Sequence, residues 1–311
     1  MKKWSYSLVL VCLLQSTLGY SWNGVGHRLT AKIAYAHLTP HAKRTFNFYN
    51  QALDKQYKPQ NFVNASVWLD NLRYRDVDWF NNLHYINLYF SDDGTPLPAL
   101  QPLNAIWGIE TATHTLLSPR AGEFDKGVAL RILLHVTGDL HQPMHAVTRV
   151  SSQYPLGDRG GNLFRLNTNP VAKNLHSYWD SGAGLFLLDK QQYSQLTKMA
   201  ADIEKKWPCD LVVIDTNPKH WSDESHHLAL TVAYKIAENS TPSEAYQQKV
   251  QAVAEQRVAL AGCRLAALLN QIDGKLSQPY NYHGSKAKPS SYKRHSHRKT
   301  HKKVFSMFST N

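Results

Sequence analysis

Histidine and aspartate side chains are concentrated in one short segment of the sequence, HVTGDLHQPMH at residues 135–145. His135 and Asp139 are four residues apart, so on a helix both side chains project from the same face. Pro143 would end that helix, because it lacks a backbone N–H and its ring clashes with the preceding turn. His145 can then approach the same point from another direction. Two imidazoles and a carboxylate, without cysteine, are the donors of zinc sites that stay open to water.

A second set of potential ligands lies outside this segment. His176 and Asp180, in HSYWD, repeat the spacing of four residues. Asp70 ends SVWLD, and His84 lies in NLHYIN. Any one of these residues alone could be an ordinary hydrogen-bonded side chain. Their number and their types together favour a metal site, whereas His141 is interpreted as a supporting or structural histidine.

The start of the chain predicts export. Residues 1–21 combine Lys2 and Lys3, an apolar run and small residues before Trp22, which is the pattern of a cleaved secretory signal peptide. An uncleaved anchor is the alternative, but no later segment reaches the roughly 20 apolar residues of a membrane span. The mature chain would be extracellular or periplasmic and would begin at Trp22. The free amine and the carbonyl of Trp22 could then chelate a metal ion near His27.

The cysteines are consistent with an exported protein. Of the three cysteines, Cys12 would leave with the signal peptide. Cys209 and Cys263 would reach an oxidising compartment, where we expect a disulfide between them. Two unpaired thiols are the alternative, since the sequence does not show how closely the two Cβ atoms approach.

Most of the positive charge lies at the end of the chain. The formal net charge is +12, and residues 285–311 contain eight lysines and arginines and no acidic residue. This segment has too few apolar residues to order itself, so we predict a disordered basic tail that could bind polyanions. The rest of the chain is nearly neutral and, at 42% hydrophobic residues overall, can bury a sizeable core.

Helical periodicity dominates the rest of the chain. Apolar residues recur at helical spacing in the segments 25–38, 103–117, 124–140, 225–238 and 245–272. Thr39 before Pro40 predicts another helix start, and Ser243 predicts the cap of the last helix. Strands are suggested only by segment 149–168, as one small β-hairpin around a Gly- and Asp-rich turn. We therefore expect an all-α fold, with a single mainly helical domain at residues 22–284 and long loops.

Six motifs occur in the order in which they occur in a known family. They are WNGVGH, WLDNLR, LHYIN, HVTGDLHQPMH, DRGGN and HSYWD, and they span residues 22–180. In these motifs the chain resembles the secreted zinc-dependent single-strand nucleases and 3′-nucleotidases typified by nucleases S1 and P1. That family shares an all-helical fold and a three-zinc site with zinc-dependent phospholipase C.

The resemblance implies three Zn²⁺ ions and a ligand set for each of them. The ligands of the first ion would be Asp70, His84, His135 and Asp139. The second ion would share Asp139 as a bridge and would add His27 and the amine and carbonyl of Trp22. The ligands of the third ion would be His145, His176 and Asp180.

The resemblance also implies the reaction. Members hydrolyse single-stranded RNA and DNA to 5′-phosphorylated nucleotides and remove the 3′-phosphate of 3′-nucleotides. Asp70 would orient the attacking water as well as bind metal. Arg73 lies three residues after Asp70 on the same helical face and would stabilise the phosphorane through charge-assisted hydrogen bonds. The alternative is that Arg73 is a solvated surface residue. We also expect the protein to be a monomer.

Four further residues would recognise the base of the substrate: Tyr85, Asn87, Gly160 and Asn162. The Tyr85 ring could stack on a base, which is worth roughly 1–3 kcal/mol and tolerates any base. Asn162 offers both a donor and an acceptor to a base edge. Asn87 departs from the aspartate that is usual in this motif, and because asparagine also donates hydrogen bonds, the base preference stays open.

Two other functions stay open on the sequence. A zinc-dependent phospholipase C would use the same metal cluster, but that branch usually has glutamate in place of Asp180 and lacks the DRGGN segment. A non-catalytic secreted protein could use the basic tail to bind nucleic acid or an anionic surface. The complete set of nine metal-binding positions favours a catalytic protein, and Asp180 together with the DRGGN segment favours the nuclease.

We predict that any residue left before Trp22 removes its chelate, because the amine then becomes a planar amide that is a poor zinc donor. A chain made in the cytoplasm as Met-Trp22 should bind at most two zinc ions and show little hydrolysis. The same chain processed to begin at Trp22 should bind three and be active. Zinc analysis and RNA digestion of the two samples measure this, and equal activity of the two would contradict the chelate.

Overall fold

Helices make up most of the part of the chain that the computed structural model describes, which is residues 22–73, 78–188, 192–211 and 214–278. The α-helices in this part are α1 Gly24–Ala36, α2 Pro40–Gln51, α3 Phe62–Ala65, α4 Trp68–Arg73, α5 Ala105–Leu117, α6 Glu123–His141, α7 Leu175–Asp180, α8 Leu196–Lys206, α9 Pro218–Leu228 and α10 Glu244–Leu276. Shorter 3₁₀ helices span Asp78–His84, Pro143–Ala146, Gln192–Gln195 and Cys209–Leu211. The strands are β1 Tyr89–Ser91 and β2 Thr148–Val150. The prediction of a mainly helical domain is confirmed, whereas the predicted signal peptide and basic tail lie outside the described residues.

Helix α6 occupies the centre of the fold and carries two of the predicted ligands. Every residue of α6 from Ala129 to His141 is buried. Helices α1, α2, α4, α5, α9 and α10 all pack against it. A helix that is covered on all sides carries apolar residues around its whole circumference, and α6 supplies Leu130, Leu133 and Leu134 to the core. His135 and Asp139 are therefore held in the interior.

Polar contacts fix the C-terminal end of α6. The last carbonyl groups of a helix have no partner within the helix. Here Ser225 Oγ donates to the Leu140 carbonyl at 2.7 Å, and Arg257 Nε donates to the His141 carbonyl at 3.0 Å. Both Arg257 and Arg264 donate to the Glu224 carboxylate. Positive charge at this end also suits the helix dipole.

The predicted helix starts are confirmed by their caps. Thr39 Oγ1 accepts the Ala42 N–H at 3.0 Å, with Pro40 in the first position of α2. Ser243 Oγ accepts the Tyr246 N–H at the start of α10. Each cap satisfies a backbone donor that the first turn leaves unpaired. The local sequence signal at these positions was therefore sufficient.

The predicted hairpin at residues 149–168 is wrong. Strand β2 instead pairs in parallel with β1, with Tyr89 opposite Thr148. After β2 the chain folds back on itself, because Asp158 Oδ1 accepts the backbone N–H of Arg149 and so takes the place of a partner strand. An antiparallel partner would have needed that N–H for its own ladder.

The helix predicted at residues 225–238 has different limits. Helix α9 begins earlier, at Pro218, where Asn217 Oδ1 accepts the Lys219 N–H as a cap. The helix then widens into a π-helix at Ala229–Ala233 and ends there. The apolar periodicity indicated the buried face but not the cap that lies in front of it.

The expected disulfide is confirmed. Cys209, just after α8, is bonded to Cys263 in the middle of α10. The bond lies in a cluster of buried apolar residues that also contains Trp22, Leu29 and Ile33. It therefore holds α8 and α10 beside α1, which carries His27. In the described part of the chain, no helix is both long and apolar enough to cross a membrane.

Candidate metal centre

Asp139 faces three histidines that come from three different elements. Its Oδ2 lies 3.0 Å from His84 Nδ1 and 3.2 Å from His135 Nε2. Its Oδ1 lies 3.2 Å from His27 Nε2. The two oxygens of one carboxylate are thus directed at different histidines. A carboxylate in this position can bridge two metal ions.

Asp70 completes the group around His84 and His135. Its Oδ1 lies 3.8 Å from His84 Nδ1 and 3.6 Å from His135 Nε2. The short helix α4 presents Asp70, and the 3₁₀ helix at Asp78–His84 presents His84. Potential ligand atoms of Asp70, His84 and His135 all lie within 4.8 Å of one another, as do those of His27, His135 and Asp139.

A second group of ligand atoms contains His145, His176 and Asp180. Asp180 Oδ1 lies 3.6 Å from His145 Nε2, and Asp180 Oδ2 lies 3.5 Å from His176 Nε2. The 3₁₀ helix that begins at Pro143 turns His145 away from α6, as the sequence predicted. His176 and Asp180 lie one turn apart on α7. All three residues are buried.

Backbone carbonyl groups orient three of the histidines. His135 Nδ1 is 2.6 Å from the Ser66 carbonyl, His145 Nδ1 is 2.6 Å from the His84 carbonyl, and His176 Nδ1 is 2.7 Å from the Gly160 carbonyl. Because a carbonyl only accepts hydrogen bonds, Nδ1 must carry the proton in each case. Each Nε2 is then the ring nitrogen that faces the cluster, which is the usual arrangement of metal-binding histidines.

The carboxylates make this part of the interior favourable for positive charge. Burial alone would lower the pKa of His145, but Asp139 and Asp180 raise it to about 9. Burial alone would lower the pKa of His135 as well, but Asp139 and Asp70 raise it above its usual value. Burial would raise the pKa of Asp139, but the neighbouring histidines lower it well below its usual value. Burial lowers the pKa of His84 to about 4, against the opposing effect of Asp139 and Asp70.

Several of these atoms are buried without a hydrogen-bond partner among the described residues. They are His27 Nε2, Asp139 Oδ1, His145 Nε2 and Asp180 Oδ2. An unpaired buried polar atom costs about 1–3 kcal/mol. Two such atoms in each of two ligand groups, all nitrogen and oxygen without sulfur, fit sites for divalent metal ions such as zinc. The chemistry of these ligand atoms therefore suits a metal centre.

Trp22 lies beside this group. Its side chain is fully buried, and the next backbone N–H, that of Asn23, donates to the Asp180 carbonyl at 2.9 Å. Gly138 on α6 leaves room for both Trp22 and His27, since a Cβ at Gly138 would lie 3.0 Å from His27 Nδ1 and 3.7 Å from Trp22 Cδ1. Trp22 and the ligand clusters are thus close together in space.

The predicted base-binding residues lie on two segments that the strand pair joins. Tyr85 and Asn87 precede β1, and the Asn87 Oδ1 accepts a hydrogen bond from Thr148 Oγ1 on β2 at 2.7 Å. Gly160 and Asn162 follow β2, on the loop that Asp158 ties back to it. Asn162 Nδ2 donates to the Arg159 carbonyl, whereas its Oδ1 has no donor among the described residues.

The structure places some of the other residues singled out in the sequence and does not describe the rest. Arg73 ends α4, but its side chain is outside the described part of the structure. His141 is a structural residue, because Nδ1 donates to the Thr137 carbonyl and Nε2 accepts from Arg264. Gln142 was not among the predicted site residues, but its side chain contacts Asp180. Glutamine is not a residue type that indicates a metal site in a sequence, so only the contact with Asp180 in the structure reveals a role for Gln142.

One further group of potential ligands lies outside the predicted set. His37, Glu204 and Cys209 have ligand atoms close together near the end of α1. The sulfur of Cys209 is bonded to Cys263 and is not available to a metal ion. His37, Glu204 and Cys209 therefore do not form an additional metal site.

The fold and the site together define a mainly helical protein built around buried histidines and aspartates that could hold metal ions. The chain belongs to the S1/P1 nuclease family, which it matches over residues 22–273. It is 28% identical to Nuclease S1 of Aspergillus oryzae over 86% of this chain and 96% of that protein. It is 27% identical to Endonuclease 1 of Arabidopsis thaliana, over 85% of this chain and 90% of the relative.

A more distant relative has a similar extent of match. Nuclease P1 of Penicillium citrinum is 21% identical over 81% of this chain and 98% of its own length. Family membership makes the protein a nuclease, a hydrolase of the endonuclease type whose substrate class is nucleic acid. The predicted resemblance is thereby confirmed, and the phospholipase alternative loses its support.

We predict that Gly160→Ala lowers metal content at the group formed by His145, His176 and Asp180. Gly160 has φ +62°, and a Cβ there would lie 2.6 Å from the Met144 carbonyl oxygen. The loop would have to move, and its own carbonyl orients His176. Gly94→Ala is the matched control, since Gly94 has φ +78° with nothing within 4 Å of the added Cβ. Metal analysis of both variants is the measurement, and equal metal loss in the two would contradict the predicted role of the loop.

Proposed function

We propose that the protein is a secreted zinc-dependent nuclease that hydrolyses single-stranded RNA and DNA to 5′-nucleotides and removes the 3′-phosphate of 3′-nucleotides. The observation that carries this proposal is Asp139, a buried carboxylate whose two oxygens face different histidines. Two-metal sites of this kind serve phosphoryl chemistry, in which the ions flank the attacking and leaving oxygens. The family match to nucleases supports the same chemistry on nucleic acid.

The proposed ligand sets are those that the resemblance implies. Asp70, His84, His135 and Asp139 would hold one Zn²⁺, and Asp139, His27 and the amine and carbonyl of Trp22 would hold its neighbour. His145, His176 and Asp180 would hold the third. Zinc ions in these positions would supply Lewis acidity at the phosphate and a nucleophilic water near neutral pH. The buried donors without partners support this assignment.

Asp70 would have a second task in the reaction. It is the most exposed of the carboxylates in the centre, at 8%, whereas Asp139 is at 0%. A carboxylate at the boundary with solvent can accept a hydrogen bond from the attacking water. That bond would direct the lone pair of the water oxygen at phosphorus. His135, fixed by the Ser66 carbonyl, would keep Asp70 in place through their shared contact.

The substrate would be held on the side of the strand pair. Tyr85 would stack on a base, and stacking requires an exposed base face, which favours single strands over duplex. Asn87 already accepts a hydrogen bond from Thr148, so its amide N–H groups are the part left to meet a base. Gly160 would let the loop backbone approach closely, and Asn162, on the same loop, would contribute to base recognition.

Secretion and the two ends of the chain belong to the same proposal. A signal peptide at residues 1–21 would be removed so that the domain at residues 22–284 begins at Trp22. The basic tail at residues 285–311 would add affinity for polyanions through counterion release. The protein would act as a monomer.

A metal count combined with a digestion assay tests the function. The protein processed to Trp22 should contain three zinc ions and digest RNA and single-stranded DNA faster than duplex DNA, and 3′-AMP should release phosphate. Chelation should remove zinc and activity together. A fully zinc-loaded protein that digests neither polymer would overturn the proposal, and so would release of diacylglycerol from lecithin without any action on RNA.

Replacing Arg73 by alanine should lower the turnover rate on RNA by roughly 10²–10³, the usual effect of losing one transition-state donor. The zinc content should stay at three ions, because Arg73 is not in any ligand set. Turnover and zinc content are measured on the same sample. An unchanged rate would assign Arg73 to the solvated surface.

Replacing Tyr85 by alanine should weaken binding of short oligonucleotides by the loss of one stacked base, about 1–3 kcal/mol. Hydrolysis of a small nitrophenyl phosphodiester should be nearly unchanged, because that substrate has no base to stack. Michaelis constants for the two substrates give the comparison. Similar losses on both substrates would count against stacking.

A further inference from the structure

Gln142 is the first residue after α6 and lies between two of the proposed ligand sets. Its side chain is fully buried. Its backbone N–H donates to the Asp139 carbonyl at 2.9 Å, and its backbone carbonyl accepts the His145 N–H at 3.0 Å. The main chain of Gln142 thus connects Asp139 to His145, which belongs to the other ligand group.

The side chain of Gln142 extends this connection to Asp180. Its Nε2 donates to Asp180 Oδ1 at 2.6 Å, and its Oε1 accepts the Met144 N–H at 2.5 Å. The second bond settles the orientation of the amide, since a backbone N–H needs an acceptor and only Oε1 can accept. The NH₂ group must therefore face the carboxylate.

This orientation decides what each oxygen of Asp180 can do. Oδ1 receives the Gln142 donor, whereas Oδ2 is buried with no hydrogen bond among the described residues. Oδ2 is also the oxygen near His176 Nε2, at 3.5 Å. The hydrogen bond keeps the carboxylate from rotating, so that Oδ2 stays toward His176 and Oδ1, which lies 3.6 Å from His145 Nε2, stays toward His145.

We propose that Gln142 is a positioning residue for the metal ion held by His145, His176 and Asp180. This inference rests on the proposed ligand set and adds to it a residue that does not itself coordinate. Glutamine suits the position because it combines a donor for Asp180 with an acceptor for the Met144 N–H at the length of its own side chain. Methionine matches that length but supplies neither group.

The test compares two variants in the full processed chain. Gln142→Met removes the bond to Asp180. Gln248→Met is the matched control, because Gln248 Nε2 also donates to a carboxylate, that of Glu244, but on the exposed face of α10. Zinc binding to each protein is titrated against a competing chelator, and melting in excess chelator reports on folding without zinc.

The proposal expects Gln142→Met to bind one of its three zinc ions 10–100-fold more weakly than the parent chain, the usual effect of removing a group that orients a ligand. The other two ions and the Gln248→Met protein should be unchanged. Gln142→Asn keeps an amide on a shorter side chain and gives a second reading if Gln142→Met does not fold; it should show the same weakened ion. Three ions of unchanged affinity in a folded Gln142 variant would overturn the role of Gln142 and leave the proposed function intact. Fewer than three ions in the parent chain would instead overturn the ligand set.

Discussion

The buried carboxylate of Asp139 is the constraint on which the rest of the site depends. A carboxylate removed from water is stable only when donors or positive charge surround it, because its desolvation costs several kcal/mol. His27, His84 and His135 surround Asp139 at 3.0–3.2 Å. These histidines must be oriented with lone pairs directed inward to bind metal, and inward lone pairs do not satisfy a carboxylate. Metal ions held by these residues would resolve this conflict, since a metal ion accepts both kinds of ligand.

The scaffold holds this arrangement by fixing α6 along its length. Toward its N-terminal half, the fully buried Arg131 donates to the Asn50 side chain of α2. At its C-terminal end, Arg257 and Arg264 share Glu224, and Ser225 holds the Leu140 carbonyl. The two guanidinium groups are buried whereas the Glu224 side chain is partly exposed, so loss of Glu224 would leave two buried charges without their carboxylate, which is costly. These networks therefore favour one position of α6, and that position decides where Asp139 lies.

The sequence indicated the ligands better than it indicated what orients them. His135 with Asp139, and His176 with Asp180, could be predicted because helical spacing alone puts each pair on one face. The groups that orient the histidines are the carbonyls of Ser66, His84 and Gly160, and a backbone carbonyl has no residue type to recognise. Gln142 escaped prediction for a related reason, since its partner Asp180 is distant in the sequence.

The same distinction applies to the fold. Helices with local caps, such as those at Thr39 and Ser243, were predicted correctly because the cap and the helix are neighbours in the chain. The parallel pairing of β1 with β2 was missed because parallel strands are joined by a long connection. Asp158, which replaces an antiparallel partner for β2, acts through a bond to the Arg149 backbone that no periodicity reveals. A non-local contact thus accounts for the error in the strands, whereas the start of α9 was missed although its cap, Asn217, is local.

The most direct test of the account is the zinc content of the Asp139→Ala protein, processed to Trp22 and measured by elemental analysis. Asp273→Ala is the matched control, because Asp273 is also buried and also paired with a histidine, His41, but on α10. If Asp139 bridges two ions, its loss should leave about one zinc ion per chain, at the group formed by His145, His176 and Asp180, while the control keeps three. Three zinc ions retained in the Asp139→Ala protein would contradict the account.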